Sequence, residues 1–164
     1  CSFVIRQIID VSIKSGFENL LLIAIIVAGS LWMGACGKSD KTQISEAAQP
    51  FADTYFNWQF PKAVSYCTPE SRQWLSYLSS QVNQQDVDTL RAMTEGARCE
   101  IDGIDIADDD TTATITLQVH HYLSMDTLGQ TGNVIEKSKF LIPMVRRNSE
   151  WKVSLSSPLR AEKE

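Results

Sequence analysis

Two hydrophobic periods divide most of this chain. Between residues 44 and 96 apolar side chains recur at helical spacing, and beyond residue 97 they alternate with polar ones. In QPFADTYFNWQF, Phe51, Tyr55 and Trp58 fall on one helical face, and Pro50 suits a first turn. FPKAVSYC predicts a short helix opened by Pro61 and carrying Ala63, Val64 and Cys67. TPESRQWLSYLSSQV predicts another, with Thr68 as N-cap, Pro69 behind it and Glu70 at the positive end. Its apolar stripe is Trp74, Leu75, Leu78 and Val82. Asp86 is expected to cap a last short helix through Val87, Leu90 and Met93, ended by Gly96.

The alternating part predicts four strands. ARCEIDGIDI is the first, with a bulge expected at Gly103, and ADDDT turns the chain. TATITLQVHHYL places Ala113, Ile115, Leu117, Val119, His121 and Leu123 on one face. SMDTLGQTGN reads as a loop. KFLIPMVRR is a third strand in which Pro143 suggests an edge or a bulge. EWKVSL closes the set with Trp151, Val153 and Leu155 inward. Helices first and an antiparallel sheet second is an α+β order.

Ahead of this lies a different pattern. Residues 20–29 read LLLIAIIVAG, and no charge falls between Asn19 and Gly37. So short an apolar run, diluted by Gly29, Ser30, Gly34 and Ala35, has the build of a signal segment. MGAC, ending at Cys36, resembles the bacterial lipobox, in which small residues precede a lipidated cysteine. That resemblance implies a diacylglycerol on the Cys36 thiol and cleavage after Ala35. Met33 departs from the usual leucine. The alternative is an uncleaved transmembrane anchor. Several acyl chains hold a protein to a bilayer far better than one, at about 0.8 kcal/mol per buried CH₂. The expected organisation is a signal peptide over 1–35, a flexible tether over 36–43, a domain over 44–157 and a polar tail over 158–164. Gly37 in place of an acidic residue points to the outer rather than the inner membrane of a cell envelope.

Composition narrows the partners. The net charge of −5 and the scatter of basic residues leave no footprint for nucleic acid. With only two histidines and no CxxC motif, neither a metal site nor a cofactor is expected. Membrane through Cys36, and an unknown envelope protein or a small apolar ligand, are the expected partners; a homodimer stays open.

The stretches AAQPFADTYFNWQFPKAVSYCTPESRQWL and KFLIPMVRRNSEWKVSL resemble the NTF2-like family, in which a bent sheet wraps a long helix. The resemblance implies helices packed on a four-stranded antiparallel sheet over about residues 44–157. It implies no activity, because the family hosts enzymes, transport factors and scaffolds alike. Helix and sheet packing in such a fold would bring Cys67 and Cys99 within bonding reach; two free thiols are the alternative.

His121 is the one catalytic candidate, a general base on an inward face with Asp53 and Tyr55 as conceivable partners. The plainer reading is a buried, hydrogen-bonded histidine whose loss costs roughly 1 to 3 kcal/mol. His120 points the other way along the strand. The triple Asp108–Asp110 lacks the ligand spacing of a calcium loop and reads as a solvated turn. Tyr55, Phe56, Trp58, Phe60, Tyr66, Trp74 and Tyr77 read as core. A concave face of Tyr55, Trp58, Val119, His121, Ile142, Met144, Trp151 and Val153 is expected to be filled, with at most a shallow opening near His121. The leading expectation is a non-catalytic, lipid-anchored binding domain of the envelope. The alternative is a small pocket isomerase or lyase using His121.

Overall fold

The computed structural model describes residues 39–125 and 130–163. The expected signal segment and Cys36 lie outside them. Among the described residues four helices come first: α1 (Asp40–Phe56), α2 (Phe60–Ala63), α3 (Arg72–Gln81) and α4 (Gln84–Ala92). Short 3₁₀ turns at Val64–Tyr66 and Pro69–Ser71 link α2 to α3. Four strands follow: β1 (Arg98–Ile106), β2 (Thr112–Ser124), β3 (Asn133–Arg147) and β4 (Glu150–Val153). They form one antiparallel sheet in the order β1-β2-β3-β4, so the α+β expectation holds.

Helix α1 starts earlier than its hydrophobic period suggests. Ser39 caps it through a hydrogen bond from the Thr42 amide, and residues 40–43, expected as tether, form its first turn. Pro50 therefore sits inside the helix, not at its start. A proline there removes the bond to the carbonyl four residues back and costs about 3 kcal/mol. Burial on both sides of it offsets the loss: Ile44 and Ala48 before, Phe51, Ala52, Tyr55 and Phe56 after. The Thr54 hydroxyl bonds the Pro50 carbonyl at 2.7 Å.

Helix α4 is capped by Asn83, with Asp86 at the third position as the return half of a capping box. Asp86 is thus not the cap. Its buried carboxylate also accepts from the Gly132 amide at 2.9 Å and so ties α4 to the chain entering β3. A Cβ at Gly132 would collide with the Ser124 carbonyl oxygen and press on the Leu123 side chain. The bulge expected in β1 lies between Ile101 and Gly103. Asp109 makes the following turn by accepting from the amides of Thr111 and Thr112. Pro143 stands where the pairing of β3 with β4 begins, and its carbonyl accepts from Ser154.

The core follows the alternation of β2 up to Val119 and then the rule changes. Ala113, Ile115, Leu117 and Val119 are buried, but so are Tyr122, Leu123 and Ser124. His121 has φ 52° and stands at the break. Pairing resumes at Tyr122 with Ile135 without a slip in register. The inward parity of β2 therefore changes at His121. In β3 the inward set Phe140, Ile142 and Met144 gives way to half-buried Ser138 and Ile135 on the far side of Glu136.

Candidate functional site

Helix α1 ends in a Schellman motif. The Gln59 amide bonds the Thr54 carbonyl at 2.8 Å and the Trp58 amide bonds the Tyr55 carbonyl at 3.1 Å. The left-handed position of this motif normally takes glycine; here it takes Trp58, at φ 58°. A bulky residue there is strained, and strain of this kind gathers at functional sites. The conformation lets the Trp58 indole N–H reach the Leu123 carbonyl at 3.1 Å, just past the break in β2.

Between these two irregular points opens a cavity of about 320 Å³. Its floor is aromatic. Tyr55, Phe56, Trp58 and Phe60 come from the end of α1 and the start of α2; Tyr122 and Phe140 come from β2 and β3. Phe56 packs on Phe140 with the rings tilted by 59° and their centroids 4.6 Å apart, and Tyr55 meets Phe60 edge-on at 5.6 Å. One wall is the C-terminal segment, Pro158 to Ala161. That segment is held by the Leu159 amide on the Tyr55 hydroxyl (3.0 Å), by a bridge of Ala161 to Phe140, and by the Glu162 amide on the Lys139 carbonyl (2.8 Å). It docks back on the domain, where the sequence reads as a polar tail.

Burial pushes the Tyr55 phenol up to about 12; the bond from Leu159 lowers it and nearby Cys67 raises it. Among the described residues, the lining holds no carboxylate, histidine or cysteine. Among the described residues, no cluster of acidic, histidine or cysteine side chains is arranged to hold a metal ion.

The residues singled out from sequence divide. Tyr55 and Trp58 line the cavity. Val119, Met144 and Trp151 are buried away from it, within the closed core of helix and sheet. His121 does not line it either. The left-handed backbone turns its side chain out, 39% exposed and 3.7 Å from Glu136, and Tyr122 faces inward instead. Neither Asp53 nor Tyr55 pairs with it. Cys67 and Cys99 are both free. Cys67 bridges to Val153 on β4 while Cys99 sits in β1, so they occupy opposite edges of the sheet, strand rows of about 4.8 Å apart separating them. Sequence reasoning missed Tyr122, Ser124, Phe140 and the C-terminal wall. The signal for the first two was HHYLS, where two apolar residues in succession break the alternation.

The chain is thus an α+β domain that closes on an aromatic cavity between the end of its long helix and the far half of its sheet. The helices-then-meander order is the one the NTF2-like resemblance implies. No protein-family profile and no curated protein matches the chain. Among solved structures it is similar to a TraE protein in complex with 2-(2-furyl)isonicotinic acid, at 14% identity and TM-score 0.42, over 76% of this chain and 95% of that one. A protein of unknown function from Mycobacterium tuberculosis gives 11% identity and TM-score 0.42, covering 80% and 79%. An NTF2-like protein involved in plasmid conjugation gives 12% and 0.35, covering 76% and 49%. Likeness at this level carries no argument about ligand, partner or activity.

Proposed function

We propose that this chain is a lipid-anchored accessory protein of a bacterial cell envelope whose domain holds a small apolar ligand without transforming it. The observation behind the binding reading is the aromatic cavity between Trp58 and Phe140. Its volume lies at the small end of ligand sites, and its aromatic floor supplies the apolar contact area such sites offer. Proton-transfer chemistry needs a group that titrates near neutral pH within reach of the ligand. Among the described residues, the lining offers no carboxylate or imidazole, and Tyr55 is pushed away from neutrality. The enzyme alternative relied on His121, which lies outside the cavity.

The anchor rests on the MGAC sequence after its apolar run, and Gly37 favours the outer membrane. Replacing Cys36→Ser abolishes lipid labelling and precursor cleavage on this reading. Unchanged size and membrane extraction would replace the lipid by an uncleaved transmembrane anchor. For the cavity, the full chain in lipid nanodiscs is titrated calorimetrically with 2-naphthamide against empty discs. Saturable binding that Leu159→Trp weakens, by filling the mouth, supports the reading. Absence of binding in the native chain removes it and leaves an envelope protein as the expected partner.

A further inference from the structure

The C-terminal wall of the cavity is held differently from its floor. Phe56, Tyr122 and Phe140 meet ring to ring and belong to the buried core, so moving one disturbs the packing of the domain. The wall has a fixed root and a lightly held body. At the root Leu155 is buried, and its amide donates to the buried Ser71 hydroxyl at 2.8 Å. Ser156 and Ser157 then bend the chain away, both exposed. Beyond them Leu159 packs on the core but is only half-buried, and residues 160–163 are exposed. Among the described residues, three contacts hold the main chain of this body: Leu159 on the Tyr55 hydroxyl, Ala161 beside Phe140, and Glu162 on the Lys139 carbonyl.

A segment with little buried apolar surface and a few solvent-facing hydrogen bonds opens at far lower cost than a packed aromatic floor. The two serines offer a hinge. Pro158 fixes the backbone just past them, so the swing concentrates there. Tyr55, Phe56, Tyr122 and Phe140 are all buried with the segment in place, and lifting it uncovers them. We propose that residues 158–163 form a strap that swings about Ser156 and Ser157 to admit the ligand and closes over it, with the Tyr55 hydroxyl as the latch. A ligand that touches both the floor and Leu159 favours the closed state, because it gains the second contact only there. The inference rests on the cavity being a binding site, and it adds the route by which that site fills and empties.

Two measurements separate the strap from the cavity. The first needs no ligand. In the full chain in nanodiscs, the amides of Leu159 and Glu162 should exchange with deuterium about tenfold faster than that of Leu155, or more, at a rate that denaturant barely alters. Equal protection of all three overturns the strap and leaves the cavity reading standing. The second measurement locks the strap. Lys139 and Glu162 stand opposite each other as a hydrogen-bonded antiparallel pair, where Cα atoms lie about 5.5 Å apart, a spacing that a disulfide spans. In the double variant Lys139→Cys with Glu162→Cys, oxidation should slow association and release of 2-naphthamide about tenfold in stopped flow, and reductant should restore both rates. The native chain treated with the same oxidant controls for Cys67 and Cys99. Equal rates in the oxidised and reduced variant overturn the strap as the entrance. Absence of binding in the native chain removes the cavity reading itself, and this inference with it.

Discussion

The Leu159 amide donates to the hydroxyl oxygen of Tyr55 across 104 residues of sequence, at 3.0 Å, and this bond seats the C-terminal segment against the end of α1. Tyr55→Phe leaves the ring packing intact and removes the acceptor. A loss of about 0.5 to 1.5 kcal/mol in urea unfolding is expected, together with faster amide exchange at Leu159. Unchanged exchange there would show that Tyr55 does not hold the segment.

The same phenol sets an alkaline limit. Burial raises Tyr55 from 10.0 to about 12, so the folded chain holds this proton more tightly than the unfolded one. Its contribution is fully present below about pH 10 and is lost as pH rises through about 12. Subtracting the tyrosinate absorbance of Tyr55→Phe from that of the native chain should give a transition centred well above pH 10. A difference titrating at pH 10 in folded protein would refute the burial.

Trp58 occupies a position that favours glycine, so its two truncations should differ. Both Trp58→Ala and Trp58→Gly lose the indole contacts and the bond to Leu123. Glycine also relieves the left-handed backbone, and should be the more stable of the two by about 1 kcal/mol. The measure is the difference in urea midpoint; equal midpoints would mean the backbone there carries no strain.

His121 gives the opposite lesson from the one its sequence position suggests. Its side chain is half-exposed beside Glu136, and an exposed pair of this kind contributes at most about 1 kcal/mol. His121→Gly should therefore be neutral or stabilising by about 1 kcal/mol, since it removes a left-handed penalty. A fall in stability of 2 kcal/mol or more would restore the buried histidine expected from the alternation.

Burial first, with nearby Lys152 lowering Cys67 and Asp53 raising Cys99, brings both thiols to about 12. Since the thiolate is the reactive form, both should resist iodoacetamide at pH 8 in the folded chain. In denaturant without reductant both should label fully, as peptide mapping would read. Labelling that requires a reductant would reveal a bond between them.

The strand periods, the bulge at Gly103 and the aspartate turn were legible because each is a local preference carried by adjacent residues. The cavity was not legible, since it depends on two left-handed residues, Trp58 and His121, and neither residue type by itself fixes such a conformation. Once His121 turns, Tyr122 goes inward against the simple alternation while Leu123 stays buried. Pro50 misled for a related reason. Its preference for a first turn is real, but the burial of Ile44 and Ala48 outweighs it and extends the helix backward. The cysteine pairing failed on sheet order, which fixes distance between edges and leaves no mark in the spacing of two thiols.

Pro50 divides α1 for a slow isotope as well as for hydrogen bonding. The bond that would join residue 50 to residue 46 is missing, so the turns on either side need not open together. Beyond the proline, Phe51, Tyr55 and Phe56 are locked into the aromatic cluster, and their amides should exchange with deuterium only when the whole domain unfolds. Before it, with Lys41 and Thr42 in solvent, deuterium should enter by fraying from Ser39 at a rate that denaturant barely alters. One helix by geometry would then be two by protection, the outer half loosening on the side where the chain leads back toward the membrane anchor proposed at Cys36.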